Sequence, residues 1–396
     1  MITKKMLIAP ILVAGLFYSC STELDSPTME TELKAVSSKA SLNSLPDGSN
    51  SPKRITMKAS GLMATDFSVG KSLLNAVEPS VCGPTPFREV LTKYDDLLFN
   101  DFLANYTGNI DGFYVVFEDY FAINQIAARF EGKNTDYFGA NGEYTAYVNN
   151  RTRSLEKFWD MADLIEVNGQ HTATLEDIDF LRYVYENYTG NPALPDEIID
   201  YLLEFAVYYN SVSDQIPENP FFASDGFATF DRKIVIGDGL VDMLAEVGID
   251  PKVVWSSILA HEWGHQIQFL NFGSFNYPIP AFAGSPESTR MTELEADFIT
   301  GYYLTHKRGA TYNWKRVEGV LQSFFEIGDC GFGSNGHHGT PIQRMEAAKM
   351  GYELANNAQK NGKILSQEAV HNAFLASLDA IINGGVMEAS AAGDMY

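Results

Sequence analysis

Apolar residues recur at helical spacing through residues 87–210, and the pattern predicts helices over 94–106, 114–130, 155–165, 175–188 and 195–209. Aromatic side chains carry much of that period. Core packing is their first explanation, and a sugar-stacking or peptide groove is the alternative. From Asp225 the pattern shortens: 227–230 and 233–236 read as strands, followed by a helix over 239–247. Asp250-Pro251 then opens a longer helix, a capping carboxylate followed by a proline where a missing N–H costs nothing. Val253, Val254, Ile258 and Leu259 supply its apolar positions, Ile267, Phe269 and Leu270 continue them, and Gly273 is a stop signal. Another helix is expected from Ser285-Pro286 to Lys307-Arg308-Gly309, with cations in its last turn, and residues 287–385 supply the remaining helices. No internal repeat interrupts the pattern.

The N-terminus is different in kind. Lys4-Lys5 precede an apolar stretch, 6–17, that ends at Tyr18-Ser19-Cys20. This stretch is short for a membrane span and reads as a secretion signal over 1–19. A cysteine after a small residue there resembles a bacterial lipoprotein signal, cleaved before Cys20 and lipidated on it. Residues 20–55 are rich in Ser, Thr, Lys, Asn and Pro, which suits a flexible tether. The address expected is the bacterial cell envelope, with the chain lipid-anchored to the outer membrane or cell surface through Cys20; simple secretion is the alternative. The remaining cysteines, Cys82 and Cys330, suit either one disulfide or two buried thiols. On these grounds the chain divides into 1–19 signal, 20–55 tether, 56–224 mainly helical region and 225–396 catalytic region. A formal charge of -23 argues against nucleic acid and anionic lipid as partners of the folded part.

Chemistry enters at His261-Glu262-Trp263-Gly264-His265, in the middle of the helix that Asp250 opens. Residues four apart share a helix face, so both imidazoles can reach one metal ion, while Glu262 projects about 100° round and can hold a water on it. Gly264 costs about 1 kcal/mol relative to alanine in a helix, which points to close approach of another backbone or of substrate. Catalytic zinc normally has three protein ligands. The metzincin continuation would require glycine and histidine where this chain has Gln268 and Asn271, so the third ligand lies elsewhere. On the next helix Glu293 and Asp297 are i, i+4. One can bind the metal while the other accepts a hydrogen bond from a ligating imidazole, and Glu295 points elsewhere. A third cluster, Gly336-His337-His338-Gly339-Thr340-Pro341-Ile342-Gln343-Arg344, is a glycine-flanked turn leading into a helix. Its histidines could stabilise an oxyanion, orient substrate or replace Glu293 as ligand, and Arg344 could pair with a carboxylate of the site.

These clusters, HEWGHQIQ from His261, ELEAD from Glu293 and HGTPIQR from His338, together resemble the neutral zinc metallopeptidase family, zincin-like bacterial envelope proteins with HExGHxxQ, ELxAD and HGxxxQR in that order. The match spans roughly residues 230 to 350. The chain departs from it at Phe298, where the family continues with cysteine, and in having a signal where the family has a membrane helix. The resemblance implies one Zn2+ held by His261, His265 and Glu293, with Glu262 as general base, Asp297 behind the ligands, and His338 and Arg344 as accessories. It implies a peptide or protein substrate, and by analogy with zincins a small sheet containing 233–236 in front of the HExxH helix, whose edge strand pairs with substrate. The fold class expected is therefore α+β and predominantly helical, with a zincin-like core. His338 is the first candidate for an oxyanion stabiliser, with Tyr277 and Tyr302 behind it. A binding protein that captures peptide or glycan without turnover, and a zinc amidase of cell-wall peptide bonds, are the rival expectations.

Overall fold

The computed structural model describes residues 85–105, 111–188, 194–312, 338–360 and 363–393, with a few positions between 316 and 322. Cys20, the signal, the tether, Cys82, Cys330 and His337 lie outside the described residues. Helices α1 (Pro86–Asn105), α2 (Asp111–Ile126), α3 (Thr145–Trp159), α4 (Ile178–Asn187) and α5 (Asp196–Val212) form the first half. Helices α6 (Asp238–Glu246), α7 (Pro251–Asn271), α8 (Pro286–Thr305), α9 (Pro341–Lys360) and α10 (Gln367–Gly393) follow. Between and beside them lies one three-stranded sheet of β1 (Glu166–Gln170), β2 (Gly226–Ala228) and β3 (Lys233–Gly237), in the order β1-β3-β2. The protein is thus predominantly helical α+β.

The sheet corrects the helix expected over 155–165 and bears out the strand expected over 233–236. The helix expected over 155–165 ends at Trp159, because Asp160 adopts the left-handed conformation (φ 56°) and its N–H closes on Glu156; the chain then turns into β1. That strand runs parallel to β3, with Glu166 opposite Lys233 and Gln170 opposite Gly237. β3 also pairs antiparallel with β2, with Ala228 opposite Ile234. The expected strand 233–236 is therefore central, with both edges occupied, and cannot itself receive a substrate strand. The sheet also joins residues on either side of the boundary drawn at 224. One hydrophobic cluster runs from Phe87 through Val148, Ile236 and Trp263 to Ile382, and a second gathers Phe102, Tyr120, Leu181, Leu203, Tyr209 and Phe222.

Two helices are capped as their sequences specify. Asp250 accepts from the N–H of Lys252 at the start of α7, and Ser285 and Ser288 cap each other reciprocally at the start of α8. α8 stops at Thr305, short of the expected 307–309. Both helices are buried on every face, from Val253 to Phe269 in α7 and from Ser288 to Thr305 in α8. Such burial requires neighbours all round, and small residues let them approach. A Cβ on Gly264 would stand 3.0 Å from Cα of Ala296, so the close backbone approach expected there is real. α8 and α9 pack closer still: a Cβ on Gly301 would lie 2.0 Å from the carbonyl oxygen of Ala348, and one on Gly351 2.0 Å from that of Phe298. Gln266 fastens α7 to the sheet by donating to the carbonyls of Thr229 (3.0 Å) and Lys233 (2.9 Å). Among the described residues no helix is long and apolar enough to cross a membrane.

Candidate metal centre

The close packing of α7 on α8 brings three side chains to one point. Nε2 of His261 and Nε2 of His265 are 3.1 Å apart, and each lies 3.2 Å from an oxygen of Glu293. All three residues are fully buried. Ligands of a tetrahedral zinc at roughly 2.0–2.1 Å stand about 3.3 Å from one another, so this separation is the one a small divalent ion requires. Two imidazoles and a carboxylate form a group that could hold a metal ion.

The opposite side of each ring is also accounted for. Nδ1 of His261 lies 2.8 Å from Oδ1 of Asp297, and Nδ1 of His265 lies 2.8 Å from the amide oxygen of Gln268. An acceptor at Nδ1 places the proton there and turns the Nε2 lone pair towards the shared point. Asp297 is itself gripped by Arg344, whose Nε and Nη2 donate to its two oxygens at 2.8 Å each. Nη2 of Arg344 is also 3.7 Å from Glu293. Asp297 thus stands between His261 and Arg344.

The electrostatics follow from crowding charges in a dry interior. Burial by itself lowers the pKa of His261, but Asp297 and Glu293 outweigh it and raise the value to about 9. Burial would raise Glu293, yet the imidazoles of His265, His338 and His261 hold its carboxyl well below the usual range. His338, at the start of α9, is therefore close enough to act on Glu293, and it is buried. Glu262 is fully buried beside His261. The weaker oxyanion candidates are engaged elsewhere: Tyr277 donates to Glu295 at 2.9 Å, and the hydroxyl of Tyr302 accepts from the N–H of Leu365 at 2.8 Å.

Sequence reasoning missed a second buried cluster behind His265. Gln268 donates to Glu295 (3.0 Å), Tyr277 donates to the same oxygen, and Nδ1 of His371 meets the other oxygen at 2.6 Å. Only the i, i+3 spacing of His265 and Gln268 was legible in advance; Tyr277 and His371 reach Glu295 from a loop and from α10. No family model, curated protein or solved structure matches this chain.

Proposed function

We propose that this chain is a zinc-dependent metallopeptidase with a zincin-like centre, acting outside the cytoplasm and anchored through Cys20. The observation that carries the proposal is the convergence of Nε2 of His261, Nε2 of His265 and Glu293 at ligand-to-ligand separations, with an acceptor behind each ring. Nitrogen and carboxylate donors suit zinc. A zinc ion held there would polarise a scissile carbonyl and acidify a water molecule.

The chain's own residues supply the rest. Glu262, on the turn that carries His261, accepts the proton from the attacking water and returns it to the leaving nitrogen. His338 donates to the negative charge that develops on the carbonyl oxygen. Asp297 and Arg344 keep His261 in its binding tautomer. Peptide is the favoured substrate because the centre combines a metal-ligand triad with a carboxylate base, a combination suited to amide hydrolysis.

The test is zinc content by mass spectrometry of the chain from residue 21, beside Glu293→Ala, together with hydrolysis of denatured protein substrates. Near-stoichiometric zinc in the wild type that falls sharply in Glu293→Ala is the expected result. Glu262→Ala should keep its zinc and lose hydrolysis by about 10²- to 10⁴-fold. Absence of zinc from both proteins after zinc is supplied would remove the proposal, and full activity in Glu262→Ala would remove the base assignment.

A further inference from the structure

The two candidate imidazole ligands are supported unequally at first sight. His261 has a carboxylate directly behind it, whereas His265 has the neutral amide of Gln268. The difference narrows one step further out. The amide nitrogen of Gln268 stands 2.8 Å from the carbonyl oxygen of Thr292 and 3.0 Å from Oε2 of Glu295, both acceptors, so only the NH2 end can occupy that place. The amide oxygen is thereby fixed towards Nδ1 of His265. The negative charge of Glu295 pulls on the NH2 group and makes that oxygen a stronger acceptor, since hydrogen bonds in a chain polarise one another at low dielectric.

Glu295 is itself fully buried, and a buried carboxylate persists where donors surround it. Tyr277 and His371 supply those donors from outside α8, at 2.9 Å and 2.6 Å. His371 is locked in turn by stacking on Phe275 at a centroid distance of 4.2 Å.

We propose that Glu295 is a positioning residue for the metal centre: through Gln268 it does for His265 what Asp297 does for His261, and Tyr277 and His371 hold it in place. The role rests on the metallopeptidase proposal only for the identity of the metal. It requires that Glu295 act through Gln268 and have no separate route to the centre.

A double-mutant cycle tests this requirement with Glu295→Gln, Gln268→Met and the double variant. Zinc affinity is read by competition with a chromophoric chelator, and the fold of each metal-free protein by circular dichroism and thermal melting. Glu295→Gln is expected to weaken zinc binding about tenfold with the fold retained, as outer partners of ligands do. Gln268→Met should weaken it further, and adding Glu295→Gln to that background should cost nothing more. Additive losses, or an unchanged affinity in Glu295→Gln, would overturn the proposal.

A second readout does not depend on metal. In metal-free protein labelled with 15N-histidine, the Nδ1 proton of His265 should move upfield in Glu295→Gln. It should be lost to exchange in Gln268→Met. This pattern across the variants, with a wild type that binds no zinc, leaves the positioning role standing and removes the metallopeptidase proposal. An Nδ1 resonance indifferent to Glu295 removes the positioning role alone.

Discussion

Helices α7, α8 and α9 bury His261, Glu262, His265, Glu293, Glu295, Asp297 and Arg344, all with no exposure, whereas the core shared by α2, α4 and α5 is closed by Tyr120, Leu181, Leu203, Tyr209 and Phe222. The surfaces reverse the contrast. α5 leaves Tyr201 59% and Val207 50% exposed, while every residue of α8 from Ser288 to Thr305 is buried. Desolvating a charge costs several kcal/mol even after relaxation, and hydrophobic replacements often fold as well or better. Stability alone therefore does not account for the charged interior, which is where His261, His265 and Glu293 could hold a metal ion. The aromatic core is stable by ordinary apolar burial and has no need of ions.

The sharpest way to break the comparison is Asp297→Ala, which strips His261 and Arg344 of a partner at once. It should cost about 3–5 kcal/mol in urea denaturation, and zinc affinity should fall about 10- to 100-fold. A loss below about 1 kcal/mol would mean that water reaches the cluster and the contrast is false.

Next in size is a pH dependence confined to the charged core. The pKa of His261 is raised from 6.5 to about 9, so its contribution is fully present below 6.5 and is lost as pH rises through 9. The metal-free protein should thus lose about 3 kcal/mol of stability between those limits, read by denaturation at a series of pH values. Zinc must displace the same proton, so its affinity should climb about tenfold per unit as pH approaches 9 from below. A flat profile in metal-free Asp297→Asn would assign the effect to this pair.

Gly301→Ala should cost about 1–3 kcal/mol or more, because the new methyl would meet the Ala348 carbonyl at 2.0 Å and part α8 from α9. Melting temperature and zinc affinity should fall together. The smallest effect sharpens the contrast: Tyr201→Ser on the exposed face of α5 should change stability by less than about 0.5 kcal/mol.

Much of the centre was legible because its spacing is local. His261 and His265 on α7, and Glu293 and Asp297 on α8, each share a face by helical period alone, and the caps at Asp250 and Ser285 located both helices. Arg344 was visible as a candidate, but its bidentate grip on Asp297 is a contact between separate helices that no period encodes. Glu295 was read as pointing elsewhere, and its oxygens meet Gln268, Tyr277 and His371. Its environment could not be foreseen, since Tyr277, Gln268 and His371 come from three different elements. β1 was invisible for another reason: Glu166-Val167-Asn168-Gly169-Gln170 has little intrinsic strand preference and is held by a parallel partner far along the chain. For the sheet, the periodicity located β2 and β3 and not the order that places β3 in the middle.

Gln170, at the end of β1, and Asp225, just before β2, are hydrogen-bonded through their side chains, and the N–H of Asp225 returns to Gln170 at 3.3 Å. Everything from 171 to 224, including α4, α5 and the apolar face of α5, departs from and comes back to that one handshake. A detour whose ends already meet can change its exposed face, as at Tyr201 and Val207, without shifting a strand, while its inner face, with Leu181, Leu203 and Tyr209, stays bound to the core it shares with Phe102 and Tyr120.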